Sequence, residues 1–280
     1  MREINANEIT ELVARMCIDA NCYLNEDIEE ALKSGMDSET NPTASEILSD
    51  ILKNAHIARR DEVPICQDTG MAVFFLELGQ EVHIVGGGLC DAINEGVRKG
   101  YCEGYLRKSV VADPIRRGNT GDNTPAVIHT EIVDGDVFRI TIAPKGFGSE
   151  NMSAVKMLKP SDGLEGVLSF VVDTVKSASG NPCPPIVVGV GIGGTMEKAA
   201  ILSKKALLRD IRESHSDSYY ADIEKELLTR INELDVGPQG YGGKTTALGV
   251  NIETFPTHIA GLPVAVNISC HVTRHLTKEL

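Results

Sequence analysis

The run "PPIVVGVGIGG", Pro184 to Gly194, constrains the fold of this chain more than any other stretch. It is apolar without alternation, the signature of a strand buried on both faces. Glycines at 189, 191 and 194 leave almost no side-chain volume, so a neighbour can approach closely. The next residues, "TMEKAAILSKKALLRDI", carry a helical pattern, and tight strand-to-helix packing is the reading. The same glycines match G-x-G-x-x-G between a strand and a helix. A dinucleotide site also requires a second strand ending in an acid about 20 residues on. That region reads "LLRDIRESHSDSYY" and is not a strand. Packing remains, with the helix N-terminus still open to an anion.

Helical and strand patterns interleave through the rest of the chain. The first 60 or so residues are helical, in "ITELVARMCIDANCYL", "NEDIEEALKSGM" and "NPTASEILSDILKNAHIARRDE". A strand, "MAVFFLELG", and a helix around "LCDAINEGVRKGYCEGYL" come next. "AVIHTEIVDGDVFRITIAPKG" predicts a hairpin, two alternating runs joined at Asp134-Gly135. "DGLEGVLSFVVDTVKSASG" predicts a helix closed by Gly180, and "YYADIEKELLTRINEL" another. "TALGVNIETF" and "LPVAVNISC" read as strands. The class is mixed α/β (α+β), helices packed around a largely antiparallel or mixed sheet. No linker, repeat or low-complexity tract interrupts residues 1–280, so one compact domain is expected.

A second glycine cluster, "GPQGYGGKT", resembles a P-loop but is one residue too long between its outer glycines. It also follows a helix and precedes a strand, the reverse of strand-loop-helix. These glycines read as letting the backbone approach something closely.

Charge narrows the function classes. With 27 Lys+Arg against 40 Asp+Glu the formal net charge is −13, which disfavours a nucleic-acid surface. No apolar run reaches membrane-span length, and "MREINANEITELVARMC" is unlike a signal or transit peptide, so no membrane role and a cytoplasmic location are expected. The cysteines are seven, an odd number at irregular spacings, which argues against structural disulfides.

Three of these cysteines differ from the others in setting. Cys66 in "PICQDTG" and Cys183 in "GNPCPP" lie in turns before strands, and Cys270 ends a strand and opens "CHVTRH". Cys17, Cys22, Cys90 and Cys102 fall within helical segments and read as core filler. Three thiolates from distant parts of the chain make a candidate metal site. Soft sulfur without C-x-x-C pairing points toward an iron–sulfur cluster rather than a zinc ribbon. A cubane held by three cysteines leaves one iron open as a Lewis acid. Buried thiols plus one catalytic cysteine is the alternative at this point.

In this order, "PICQDTG", "GNTGDNTPA", "PKGFGSENMS", "NPCPPIVVGVGIGGT", "GPQGYGGKTTALGV" and the stretch from His258 through "IAGLPVAVNIS" to Cys270 resemble the class I fumarate hydratase family. The match is to its alpha subunit or N-terminal domain, which tartrate dehydratase shares, and it runs from about Ile9 to His275. The resemblance implies an oxygen-sensitive [4Fe-4S] cluster on Cys66, Cys183 and Cys270, and reversible hydration of fumarate to L-malate. Asp68, otherwise a turn former, and His258 carry catalytic roles by that resemblance. Substrate binding falls to Gln67, Arg107, Lys145, Gly148 and Arg274, with Lys108 the rival of Arg107. Lys145, Gly146 and Gly148 form a glycine turn whose backbone N–H groups can meet an anionic oxygen. His271 and His275 receive no role, because "CHVTRH" departs from the family pattern. The resemblance also implies a smaller beta subunit bringing the base and further carboxylate-binding groups, in a dimer of alpha-beta pairs. Tartrate is the alternative substrate. Two rivals come from other classes: a metal-binding scaffold with a vestigial site, and a cysteine-nucleophile enzyme using Cys66 with His258.

Overall fold

A computed structural model describes Met1–Leu280. Its elements run β1 (Arg2–Asn5), α1 (Ala6–Cys22), α2 (Glu26–Ser38), α3 (Pro42–Asp61), β2 (Met71–Gly79), β3 (Val82–Val85) and α4 (Leu89–Glu103). Then come β4 (Val127–Val133), β5 (Phe138–Lys145), the short α5 (Phe147–Glu150), β6 (Ala154–Leu158), α6 (Gly163–Ala178) and β7 (Ile186–Gly193). The chain ends with α7 (Met196–Ala206), α8 (Ser218–Asn232), β8 (Ala247–Phe255), β9 (Leu262–Ser269) and β10 (Leu276–Glu279). Mixed α/β is therefore the class observed.

Contacts divide the chain into two compact units, one of residues 1–24, 55–146 and 274–280, the other of residues 25–54 and 147–273. The sequence carries no linker at these crossings; one of them falls inside a continuous helix, α3, between Asn54 and Ala55.

The first unit is built on the sheet β10-β5-β2-β4, with a small parallel pair β1-β3. Here the hairpin reading is corrected. Both alternating runs are strands, but β2 lies between them, parallel to β4 and antiparallel to β5. The reason is burial: β2, with Val73, Phe74 and Leu76 buried, takes the central place. The Asp134-Gly135 turn then passes the end of β2, where Glu81 N–H meets the Gly135 carbonyl. Ile9, Val13 and Met16 of α1, Ile93 and Val97 of α4, and Phe138, Ile140 and Ile142 of β5 fill its core.

The second unit is built on the sheet β6-β9-β7-β8, in which β7 pairs parallel with β8 and antiparallel with β9. A side chain on Gly189 would lie 2.0 Å from the Ser203 carbonyl oxygen, and one on Gly191 2.0 Å from that of Ala199. The glycine spacing thus seats α7 directly on β7. Val167, Val171 and Val175 of α6 and Leu227 and Ile231 of α8 complete this core. Helix α6 closes at Ser179, with φ +49°, rather than at Gly180. Gly180 is reserved for a close approach: a side chain there would lie 3.2 Å from the Gly240 Cα.

Candidate active site

The Cys66 turn lies between α3 and β2, in the first unit. The Asp68 N–H points at Cys66 Sγ over 3.4 Å, and Asp68 Oδ1 accepts from the Gly70 N–H at 3.0 Å. Asp68 is thus an Asx-turn former, as an Asp in this setting usually is. Its second oxygen faces Gly146: a side chain there would lie 3.1 Å from Oδ2. Gly70 has φ +73°, and a side chain on it would lie 2.7 Å from the Lys145 carbonyl carbon. The "CQDTG" turn and the end of β5 are therefore brought together by two glycines. Gln67 is exposed beside Cys66, its Oε1 3.8 Å from the thiol sulfur.

Arg274 is 5% exposed, and its Nη2 donates to the Asp68 carbonyl at 2.7 Å. Its Nε and Nη1 are buried with no hydrogen-bond partner. A buried guanidinium with two unmet donors is costly unless an anion completes it. Lys145 is buried at the end of β5, its Nζ 3.4 Å from the Gly146 carbonyl. Gly148 falls in the four-residue helix α5, and a side chain there would meet no atom within 4 Å. Arg107 is exposed, with a guanidinium that makes no hydrogen bond or ion pair, while its carbonyl accepts from Thr69 Oγ1 at 3.2 Å. The Lys108 carbonyl accepts from Asn119 Nδ2.

Cys183 and Cys270 belong to the second unit. The register Val187↔Ser269 between β7 and β9 carries both to one end of that sheet. Cys183 is exposed and has φ +56°, a left-handed backbone uncommon for any residue with a Cβ. Two neighbours hold it there. His271 Nδ1 lies 2.9 Å from the Cys183 carbonyl oxygen and 3.2 Å from Gln239 Nε2. Gln239, itself at φ +53°, donates both its backbone N–H (2.8 Å) and its Nε2 (2.9 Å) to the Pro184 carbonyl. This accounts for the "GPQGYGGKT" glycines. They bring Gln239 and Gly240 against the cysteine loop rather than cradling phosphate. Cys270 follows β9, and its carbonyl accepts from Thr273 Oγ1 at 2.8 Å.

His258 is not brought to this end. It comes after β8, which runs parallel to β7, so it emerges where β7 finishes, beside Gly194. The eight-residue β7 spans about 26 Å at about 3.3 Å per residue, which separates His258 from Cys183 and Cys270 within the chain. There it borders a pocket of about 540 Å³ with Gly194, Thr195, Lys198 and Phe255. Its Nδ1 accepts from the Ala260 N–H at 3.2 Å, leaving the proton on Nε2. No three His, Cys, Asp or Glu side chains are grouped as a metal site; Cys66 belongs to one unit, and Cys183 and Cys270 to the other. A groove of about 780 Å³ along β6 and α6 contains none of the sequence-predicted residues.

The remaining cysteines divide differently from expectation. Cys17 and Cys22 are buried in α1, and burial pushes both thiols up, away from the ligating thiolate form. Cys90 and Cys102 are exposed rather than core. They lie off the buried stripe of α4, which runs through Ala92, Ile93, Gly96, Val97, Gly100 and Tyr101. Sequence reasoning also missed Tyr101, Asn123 and Gln239. Each acts by hydrogen-bonding a distant backbone carbonyl, which leaves no periodic signal.

The family model of fumarate hydratase matches residues 10–279. A Methanocaldococcus jannaschii protein, provisionally named L(+)-tartrate dehydratase subunit alpha, is 43% identical over 98% of this chain and 98% of its own length. The L(+)-tartrate dehydratase alpha subunits of Escherichia coli K12 and Shigella boydii serotype 4 are each 34% identical, over 97% of this chain and 90% of theirs. This chain is a hydro-lyase by class. It belongs to the fumarate hydratase family.

Proposed function

We propose that the chain is the alpha subunit of an iron–sulfur hydro-lyase that adds or removes water at a small dicarboxylate, with fumarate and L-malate as the pair. The observation that carries this reading is the Cys66 turn, where a half-buried thiol and a backbone-oriented carboxylate, Asp68, stand two residues apart. Cys66, Cys183 and Cys270 would hold a [4Fe-4S] cluster, which when bound supplies Lewis acidity at the departing hydroxyl. The donors fit such a group: three thiols outside the apolar core, and in Arg274 two buried N–H groups that lack an acceptor. Three thiolates make the assembly anionic, which is the partner a buried guanidinium needs.

The chain's own residues divide the remaining work. Asp68, with Oδ1 engaged by Gly70, exchanges a proton with the hydroxyl at Oδ2. Arg107 takes a substrate carboxylate, a task that suits its planar fork and its unpaired guanidinium. Gln67, Lys145 and the Gly148 backbone N–H complete the binding groups on this chain. The base for the carbon-bound proton, with further carboxylate-binding residues, belongs to a smaller beta subunit. The relatives' names as alpha subunits support a second chain. The assembly is a dimer of such pairs.

L-tartrate is the second substrate reading, favoured by the names of the relatives. Anaerobic reconstitution with the beta subunit, assayed on malate, fumarate and L-tartrate, tests both. Turnover of malate and fumarate supports the first reading, and turnover of tartrate alone supports the second. No turnover of any of these overturns the proposal, and activity in a metal-free preparation favours a cysteine nucleophile.

A further inference from the structure

Three consecutive carbonyls of the Cys66 turn, those of Asp68, Thr69 and Gly70, are each taken by a buried side chain from a distant part of the same unit. Arg274 holds the first. Tyr101, on α4, directs one hydroxyl between the Thr69 oxygen (2.9 Å) and the Gly70 oxygen (3.0 Å). Burial pushes this phenol well above its ordinary range, so it remains a donor. Asn123 reaches the Gly70 oxygen through Nδ2 at 3.2 Å.

Asn123 does more than hold the turn. It is 0% exposed, and its Oδ1 accepts from the N–H groups of Ser109 (2.7 Å) and Val110 (3.2 Å). Two donors on one atom and an acceptor on the other fix the amide's orientation without ambiguity. The segment it grips is the one that begins at Arg107, whose carbonyl already accepts from Thr69 Oγ1. One side-chain amide therefore links the Cys66–Asp68 turn to the Arg107 segment. Its backbone is left-handed, φ +64°, a conformation Asn tolerates better than most residues. Its neighbours hold that geometry: the Asp122 carboxylate accepts from Thr124 N–H (3.0 Å), Thr124 Oγ1 (2.8 Å) and Arg98 Nε (2.9 Å).

We propose that Asn123 is a positioning residue for the reaction: it fixes the Cys66–Gly70 turn, and with it Asp68, in register with Arg107. Its catalytic consequence rests on the function proposed above; its structural part does not. The reaction needs the proton-exchanging carboxylate and the carboxylate-binding arginine at a set separation. A shift of a fraction of an ångström between them is felt in the chemical step.

The test uses Asn123→Ala and Tyr101→Phe in the full chain. In the metal-free chain, alkylation by iodoacetamide is followed at each cysteine by mass spectrometry. Both variants are expected to raise the Cys66 rate by about tenfold, as loss of a restraining hydrogen bond of about 1.4 kcal/mol would. Cys17, buried in the same unit, stays protected, and Cys183 keeps its parent rate. In the anaerobic holoenzyme with its beta subunit, Asn123→Ala lowers kcat by at least about tenfold and raises KM, since it loosens both ends of the link. An unchanged Cys66 rate with Cys17 still protected overturns the proposal. If Asn123→Ala exposes Cys17 as well, the decision passes to Tyr101→Phe, which removes one oxygen. Failure of that variant to raise the Cys66 rate selectively also overturns it. A selective Cys66 change in a chain whose parent holoenzyme turns over no dicarboxylate would leave the link standing and sink the functional reading instead.

Discussion

At the residue scale, the candidate site depends on backbone groups held by side chains. Asp68 accepts from the Gly70 N–H at Oδ1, and the proton exchange assigned to it gives a direct expectation. Asp68→Asn keeps the hydrogen-bonding shape but not the basicity, so kcat should fall by about 10²–10⁴-fold with little change in KM. Steady-state kinetics of the reconstituted pair, with circular dichroism to verify folding, measures it. The Asp122 carboxylate supplies a pH dependence. Its pKa is pulled down to about 2, chiefly by the Thr124 backbone N–H, with the Thr124 hydroxyl and Arg98 adding to the effect. A folded-state value below the unfolded one gives stability that is complete above about pH 4 and lost as pH falls toward 2. After allowance for its partial exposure, Asp122→Asn should cost about 1 kcal/mol near neutral pH. Urea midpoints of variant and parent should converge as the pH is lowered through that window.

At the scale of elements, the seating of one helix and the strand order of one sheet shape the molecule. The seating of α7 on β7 leaves no room for a single methyl group, because the atoms in the way are helix carbonyl oxygens rather than flexible side-chain ends. Gly191→Ala is therefore expected to destabilise the chain by about 2–3 kcal/mol or to prevent its accumulation, read by denaturant unfolding of the soluble fraction. The Gln239 loop gives a milder test. Gln239→Ala loses the Nε2 bond to Pro184 but keeps the backbone one, so a loss of about 1 kcal/mol and faster alkylation of Cys183 are expected. The predicted hairpin shows where periodicity stops being informative. Alternation in "AVIHTEIV" and "VFRITIA" identifies two strands, yet it cannot say that a third, more apolar strand will be inserted between them.

At the scale of the whole molecule, His258 and the cysteines of its own unit stand at opposite ends of one sheet, and whether His258 serves the reaction across a two-fold dimer is open to a direct test. A mixed assembly of Asp68→Asn and His258→Asn chains tests this. If His258 acts across a two-fold dimer, each mixed dimer contains one intact site and should recover about half the parent activity per dimer. If it acts within its own chain, neither site is intact and the mixture stays inactive.

The candidate site cysteines stand out in the sequence because their local settings are unusual: a thiol beside a Gln-Asp-Thr-Gly turn, another between prolines, a third at a strand end. Element types followed from periodicity, since burial of one face or both leaves its mark on neighbouring residues. The sequence by itself determined the mixed class, the glycine-seated strand and helix, and the three placed cysteines. Only the tertiary structure decided that β2 separates β4 from β5, and that the glycines before β8 brace the Cys183 loop. It also decided that Asn123 joins the Cys66 turn to Arg107. Those are long-range contacts of single side chains or strand edges, and their partners lie tens of residues away. Local propensity carries no information about them. They are fixed by where the buried strands settle and by the need of each buried polar group for a partner.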